Sequence, residues 1–201
     1  DKKIEPIITF HHFTTPDWIS KDGSWLNPNI DEYFESYVGY MMQKLPKKIK
    51  YYNTINEPGI FAFFGYFSTT KFPPGIADEN KFIIASENIM KAHKTALKTI
   101  KGINPEAMVG MTHALQEWED HDTNKLKEYL KYHLEDKFLK ASKEDDFIGL
   151  QTYTIVRYPK STLLKLVNPL LLNISLIRRF LLPRIIQIFA GRNGEISKNT
   201  R

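Results

Sequence analysis

Cysteine is absent from the 201-residue sequence, which excludes disulfide frameworks, thiolate metal sites and cysteine nucleophiles. No glycine-rich phosphate loop follows an apolar segment, so a nucleotide-binding site has no support. The histidines are either adjacent to one another or placed in separate predicted elements, so no metal site is predicted. The first six residues lack the apolar core of a secretory signal. We therefore expect a cytoplasmic protein that uses no cofactor and no metal.

Long apolar runs are also absent, which argues against a membrane-spanning helix of about 20 residues. Residues 163–189 are rich in leucine and isoleucine, but they are interrupted by Arg178, Arg179 and Pro183. This pattern favours two short amphipathic helices. Two interpretations stay open: a loop excursion that packs on its own domain, or a basic patch that contacts an anionic membrane surface or a partner protein.

The net charge of +5 comes from the last part of the chain. Residues 157–201 contain nine lysines and arginines and one acidic residue, whereas residues 1–156 contain 19 basic and 22 acidic residues. The high isoelectric point therefore reflects this segment. No recognised nucleic-acid-binding motif occurs, so no nucleic-acid partner is predicted.

Apolar segments alternate with amphipathic segments along the first 158 residues. Strands are predicted at 6–12, 50–57, 107–113 and 147–153, and helices at 30–45, 79–101 and 124–140. In the first helix, Ile30, Phe34, Tyr37, Met41 and Leu45 are predicted to form the buried face. Continuous apolar strands between amphipathic helices indicate an α/β fold in which helices cover a parallel sheet.

The spacing of the predicted strands limits the possible architectures. One strand and its connection take about 47 residues, so an eight-unit closed barrel would need about 375 residues. A chain of 201 residues with four strands is therefore either an open four-stranded sheet or part of a larger barrel.

Polar residues cluster where the predicted strands end. They are His11 and His12, Asn56 and Glu57, His113, and Gln151 with Tyr153. In parallel α/β folds the carboxyl ends of the strands are where active sites form. A glutamate in this position, beside a side-chain amide and before a proline that turns the chain, is suited to proton transfer.

The segment 54–58, Thr-Ile-Asn-Glu-Pro, resembles the Asn-Glu-Pro signature of glycoside hydrolase family one, the β-glucosidase family. Other segments match in the same order: 6–13 resembles the third barrel strand, Gly65-Tyr66 and 72–75 the loop after the signature, and 146–154 the sixth strand. Asn88 and His93 match the helix between them. The resemblance implies that residues 1–158 form part of a (β/α)8 TIM barrel, strands three to six. Residues 159–201 would be a basic amphipathic region of the same domain.

The resemblance also implies a retaining β-glycosidase and assigns roles to several residues. Glu57 matches the acid/base, and Asn56 matches the asparagine that binds the sugar 2-hydroxyl. His12 matches a histidine that binds a sugar hydroxyl, and Tyr153 matches the tyrosine that orients the nucleophile. Phe13 stands where the family often has tryptophan, next to the sugar. His11 replaces a usually aromatic residue, and strand alternation points it away from His12.

Some positions depart from the family pattern. Gln151 and Thr152 replace the commoner Asn-Tyr, so Gln151 would reach the sugar from one methylene further out. His113, Gln116 and Trp118 follow where the family usually has an asparagine near the sugar. For these three, a sugar contact and ordinary packing stay equally open, although Trp118 is a plausible sugar platform.

The nucleophilic glutamate of the family, in a Thr-Glu-Asn-Gly motif, has no match in this sequence. Retaining hydrolysis needs two carboxyl groups about 5–5.5 Å apart, and only Glu57 is a good candidate. We therefore expect the chain alone to be inactive. We also expect its exposed sheet edges to make it aggregate, dimerise or recruit the missing half of the barrel. The alternatives are a non-catalytic sugar-binding fragment and a protein that associates with membrane surfaces through residues 163–189.

Overall fold

The protein was examined as a computed structural model, which describes residues 4–68, 72–118 and 125–156. The described residues contain a four-stranded parallel sheet, in which chain order and spatial order agree. Its strands are β1 (Ile7–His11), β2 (Tyr51–Asn56), β3 (Met108–Trp118) and β4 (Phe147–Val156). The predicted parallel sheet is confirmed, although β3 and β4 extend further than the sequence pattern indicated.

Helices connect the strands. They are α1 (Asp17–Lys21), α2 (Ile30–Lys44), α3 (Pro58–Ala62), α4 (Glu79–Ile103), α5 (Lys125–Lys131) and α6 (Lys137–Ala141). Of these helices, α3 and α4 pack on the sheet. A 3₁₀ turn lies at Ser24–Leu26, and two π-helical turns lie at Phe63–Phe67 and Tyr132–Asp136. The sequence predicted α2 and α4 closely. It missed α1 and α3, and it merged α5, the second π-helical turn and α6 into one helix.

The buried face of α2 differs from the predicted one. Val38 and Met42 are buried, together with Ile30 and Phe34, whereas Tyr37 is 43% exposed. The face is therefore rotated by about one residue in the second half of the helix, because α2 packs along the longer α4. The prediction that Tyr37 belongs to the buried stripe was wrong.

Two glycines allow the strands to lie close to their neighbours. A Cβ atom on Gly110 would lie 2.1 Å from the carbonyl oxygen of Phe147 on β4. A Cβ atom on Gly149 would lie 2.2 Å from Cγ2 of Thr112 on β3. Both distances are far below van der Waals contact, so only glycine fits at these two positions. The close pairing of β3 and β4 that results brings Thr112 next to β4.

The sheet ends in β1 on one side and β4 on the other within the described residues. Ile7 on β1 and Leu150 on β4 are 60% and 62% exposed, which is typical of strands that still have apolar surface to cover. No helix among the described residues is long and apolar enough to cross a membrane. The predicted amphipathic segment 163–189 and the region 159–201 lie outside the described residues.

Candidate active site

Glu57 lies directly after β2 and begins α3. A register shift between Asn53 and Asn56 marks a β-bulge in the strand just before it, and such bulges re-aim the side chains that follow. The Glu57 backbone N–H donates to the Thr112 carbonyl oxygen at 2.8 Å, and its own carbonyl accepts from Phe61 N–H at 3.0 Å. Pro58 occupies the first helical turn, where its missing N–H costs nothing. The residue is thus fixed between a strand end and a helix start, and it is buried.

Glu57 and Phe13 share an uncommon backbone conformation. Their φ angles are +47° and +66°, in the left-handed region that favours glycine. Each such residue costs on the order of 1–3 kcal/mol, and it persists only where the surrounding structure holds it. Two of the residues predicted for the site therefore carry backbone strain, which often accompanies functional sites.

A chain of polar side chains crosses the sheet beside Glu57. Asn53 Nδ2 donates to Thr9 Oγ1 at 3.2 Å and to Thr112 Oγ1 at 3.0 Å. Thr112 Oγ1 in turn donates to Asn56 Oδ1 at 2.8 Å. Gln151 Nε2 also donates to Asn56 Oδ1, at 2.7 Å. Asn56 and Gln151, which the sequence predicted at the site, are therefore in direct contact, although they are separated by 95 positions.

Phe13 belongs to an aromatic wall next to α3. Its ring stacks on Phe61, with centroids 6.4 Å apart and planes 8° apart, and it meets Phe72 edge-on at 5.5 Å. Phe61 is one helical turn after Glu57 and donates its N–H to the Glu57 carbonyl. The wall therefore connects the end of β1 to the helix that holds Glu57.

His11 and His12 point to different surroundings. The His11 ring lies edge-on between Trp25 and Phe61, at 4.9 and 4.7 Å, and it is buried. Neither ring nitrogen has a hydrogen-bond partner among the described residues. His12 is exposed, and its ring meets Phe13 at 4.9 Å. Tyr153 lies in β4, but its side chain is outside the described part of the chain.

Burial controls the protonation of His11. Removal from water and, to a smaller extent, the neighbouring His12 together lower its pKa from 6.5 to about 4. Between pH 6.5 and about 4, His11 therefore binds a proton in the unfolded chain but not in the folded chain. The free energy of unfolding consequently falls as the pH falls through this window.

Substitution of His11 by phenylalanine should reduce this pH dependence. Phenylalanine keeps the packing between Trp25 and Phe61 and removes the titrating ring. Because one pKa unit corresponds to about 1.4 kcal/mol, we expect His11→Phe to recover on the order of 3 kcal/mol of stability near the acid end of the window. Urea unfolding at a series of pH values measures this. The buried His113 and the half-buried His133, whose pKa values are also lowered to about 4, will leave a residual slope. An unchanged slope would contradict the prediction.

Trp118 and Gln116 are bound by a residue that the sequence analysis missed. Glu135 Oε1 accepts from Gln116 N–H at 2.7 Å and from Trp118 Nε1–H at 2.9 Å. Glu135 is buried in the second π-helical turn, and desolvation raises its pKa. Trp118 is the last residue of β3 rather than a loop residue. Its indole N–H is therefore engaged with the protein, and its role as a sugar platform stays a prediction.

His113 faces the helices, away from Asn56. Its Nε2 lies 2.9 Å from Ser142 Oγ, next to a buried pair in which His93 Nε2 meets Asp145 Oδ1 at 2.9 Å. Thr54 Oγ1 contacts the other ring nitrogen of His93 at 2.7 Å. Of the two alternatives for His113, the structure supports packing. The side chain before it, Thr112, is the one that reaches Asn56; strand alternation from His113 could have identified it.

The sequence matches the family described as Glycosyl hydrolase family 1 over residues 1–165. It is 35% identical over 136 residues to the 6-phospho-β-galactosidase of Staphylococcus epidermidis, covering 67% of this chain and 28% of the relative. It is 38% identical over 115 residues to a protein of the same name from Staphylococcus aureus, covering 57% of this chain and 24% of the relative. The chain thus spans about a quarter of the length of these curated relatives.

Solved structures match the fold over most of the chain. The β-glycosidase from Pyrococcus horikoshii has a TM-score of 0.69 and 28% identity, covering 81% of this chain and 42% of that one. The β-glucosidase from Thermotoga maritima, solved with castanospermine, has a TM-score of 0.65 at 19% identity and covers 76% of this chain and 42% of that one, a likeness of fold alone. The four strands are therefore part of a (β/α)8 barrel, as the resemblance implied, and the chain belongs to glycosyl hydrolase family 1.

Proposed function

We propose that this chain supplies the acid/base half of a retaining β-glycosidase site, with Glu57 as the acid/base. The observation that carries the proposal is the placement of Glu57. It is buried at the carboxyl end of β2, in a left-handed conformation, directly after Asn56 and beside the aromatic wall that contains Phe13. Sugar sites are expected at this end of a parallel barrel.

The proposed reaction uses Glu57 twice. In the first step the nucleophile bonds to the anomeric carbon, the glycosidic bond breaks, and the Glu57 carboxyl proton passes to the departing glycosidic oxygen. In the second step water attacks the same carbon and displaces the nucleophile, and the Glu57 carboxylate takes a proton from that water. Asn56 donates to the sugar 2-hydroxyl, His12 binds another hydroxyl, and Phe13 contacts the apolar face of the ring.

The nucleophile of this reaction is proposed to lie outside the described residues. Three other carboxylates are buried among them, and each has a partner elsewhere. Asp31 pairs with Lys91 at 2.9 Å, Asp145 pairs with His93 at 2.9 Å, and Glu135 holds the end of β3. A second carboxylate about 5–5.5 Å from Glu57 would therefore come from a different part of the barrel.

The proposed substrate is a β-glycoside. The staphylococcal relatives are named 6-phospho-β-galactosidases, so the proposed substrates include β-glycosides whose sugar carries a 6-phosphate. Phosphate recognition needs cationic side chains such as arginine or lysine. The residues proposed to meet the sugar include neither, so a phosphate would be held by other residues. These proposed residues are His12, Phe13, Asn56, Glu57, Trp118 and Gln151.

Binding of castanospermine, the basic sugar mimic seen with the Thermotoga maritima enzyme, tests the proposal. Its ammonium group should pair with the Glu57 carboxylate, so Glu57→Gln should weaken binding to the 201-residue chain by about tenfold, the loss of one charge-assisted hydrogen bond. Calorimetry measures the dissociation constant. Glu106→Gln is the matched control, because Glu106 is exposed next to the amino end of β3 and should leave binding unchanged.

The second candidate is a non-catalytic sugar-binding module, favoured by the lack of an uncommitted second buried carboxylate among the described residues. It predicts that binding of the mimic survives Glu57→Gln with little change. That result would contradict the proposed role of Glu57 and support the second candidate.

A further inference from the structure

The polar chain beside Glu57 has a direction. The Thr112 hydroxyl carries one proton. It accepts a hydrogen bond from Asn53 Nδ2 at 3.0 Å, so its proton is directed to Asn56 Oδ1, 2.8 Å away. The orientation of the Asn53 amide on β2 therefore determines, through Thr112 on β3, which atom of the Asn56 amide meets the Thr112 hydroxyl. Such a chain polarises its members and strengthens each bond.

Asn56 Oδ1 receives a second hydrogen bond from the opposite side. Gln151 Nε2 on β4 donates to it at 2.7 Å. A carbonyl oxygen has two lone pairs, so both are used by these two donors. Both of these hydrogen bonds are accepted by Oδ1 of Asn56, whereas its Nδ2 group can only donate. Together, Thr112 and Gln151 determine which end of the Asn56 amide is left for a ligand.

We infer that Thr112 and Gln151 are positioning residues that fix the Asn56 amide with Nδ2 toward the sugar, so that the site selects β-glycosides whose C2 substituent accepts a hydrogen bond. This inference rests on the proposed function, which places the sugar against Asn56. A 2-hydroxyl satisfies the requirement, because its oxygen accepts. A protonated 2-amino group fails it, because an ammonium only donates and would face two further N–H donors.

The opposite direction of the chain is a real alternative, and it makes the inference testable. If the amides of Asn53, Asn56 and Gln151 were all turned end for end, Asn56 Nδ2 would donate to Thr112 Oγ1 and to Gln151 Oε1. Its Oδ1 would then face the sugar and would accept from an ammonium group. The two arrangements therefore predict opposite discrimination at C2.

The orientation of Asn56 can be measured without any sugar. In the ¹⁵N,¹³C-labelled 201-residue chain, we expect a scalar coupling through the hydrogen bond between Gln151 Nε2 and Asn56 Cγ. This coupling requires Oδ1 of Asn56 as the acceptor. Its absence, with a coupling from Asn56 Nδ2 to the Gln151 side-chain carbonyl carbon instead, would overturn the inference.

Sugar discrimination supplies the second readout. At about pH 5.5, where an amine of this kind is protonated, methyl β-glucoside should bind at least about tenfold more tightly than methyl β-glucosaminide, as expected of a site that matches one hydrogen-bonding pattern. In Thr112→Val/Gln151→Met the amide is released, and the ratio should fall to within about threefold. Thr112→Ser keeps the donor and should keep the ratio. A structural role alone would change both affinities together and leave their ratio unchanged.

The outcomes separate this inference from the proposed function. The coupling from Gln151 with a preference for the glucoside supports both. An unchanged ratio in a double variant whose circular dichroism matches the original chain would overturn the role of Thr112 and Gln151. The coupling with no binding of either glycoside would overturn the proposed sugar site, and with it the selection at C2, while supporting the orientation of Asn56.

Discussion

Replacement of Gly59 by alanine is expected to destabilise the protein by about 3 kcal/mol or more, since the added methyl group has no space. A Cβ atom at this position would lie 1.9 Å from the Leu134 carbonyl oxygen and 2.8 Å from its carbonyl carbon. Both atoms are backbone of the π-helical turn Tyr132–Asp136, so no side-chain rotation relieves the overlap. The turn or α3 must move.

Helix propensity alone predicts the opposite sign for this substitution. Alanine is preferred to glycine inside a helix by about 1 kcal/mol, and Gly59 lies within α3. Gly102 near the end of α4 is the matched control, because a Cβ atom there meets nothing within 4 Å. Gly102→Ala should therefore raise the free energy of unfolding by roughly 0.5–1 kcal/mol. Urea unfolding followed by tryptophan fluorescence measures both. Equal effects of the two substitutions would contradict the close packing of α3 on the π-helical turn.

The second large effect is an absence of turnover. The 201-residue chain alone is expected to release no product from an aryl β-glucoside, although it carries Glu57. Retaining hydrolysis needs a nucleophilic carboxylate beside the acid/base, and the other buried carboxylates of the described residues are engaged with Lys91, His93 and Trp118. Without a nucleophile to attack the anomeric carbon, proton donation by Glu57 to the glycosidic oxygen does not lead to cleavage of the bond.

A sensitive fluorescent aryl glucoside makes this a strict test. Turnover that survives purification and disappears in Glu57→Gln would overturn the expectation and show that a second carboxylate is present in this chain. Turnover that is unaffected by Glu57→Gln would indicate a contaminating glycosidase. The Glu106→Gln variant again serves as the control for substitution itself.

The sheet could be predicted from sequence because it depends on local signals. Four apolar segments are separated by amphipathic ones, and each ends in polar residues such as Asn56 and Glu57. Parallel pairing then places those ends along one edge, so the contact between Asn56 and Gln151 follows from topology. The helix α4 was equally clear from its amphipathic pattern. In the structure Asp78 Oδ1 caps this helix by accepting from Lys81 N–H at 3.1 Å.

Other features depend on tertiary packing, which local patterns do not encode. The short helix α3 is held by Glu57 in a left-handed conformation and by close contact of Gly59 with a distant turn. Glu135 reads from sequence as an exposed helical residue, yet it is buried against the end of β3. His113 was expected at the end of a strand, where a sugar contact and packing were both open. The strand instead continues to Trp118, and the His113 side chain contacts Ser142.

The central claim is that the Glu57 carboxylate faces a hollow that accepts a sugar, and affinity labelling tests it most directly. N-Bromoacetyl β-glucosylamine carries an alkylating group at the position of the glycosidic oxygen, where an acid/base carboxylate would be. After incubation with the 201-residue chain, mass spectrometry should find a single adduct on Glu57, reduced by excess methyl β-glucoside. Adducts spread over exposed carboxylates such as Asp17 and Glu32, with Glu57 unmodified and no protection by the glucoside, would contradict the account.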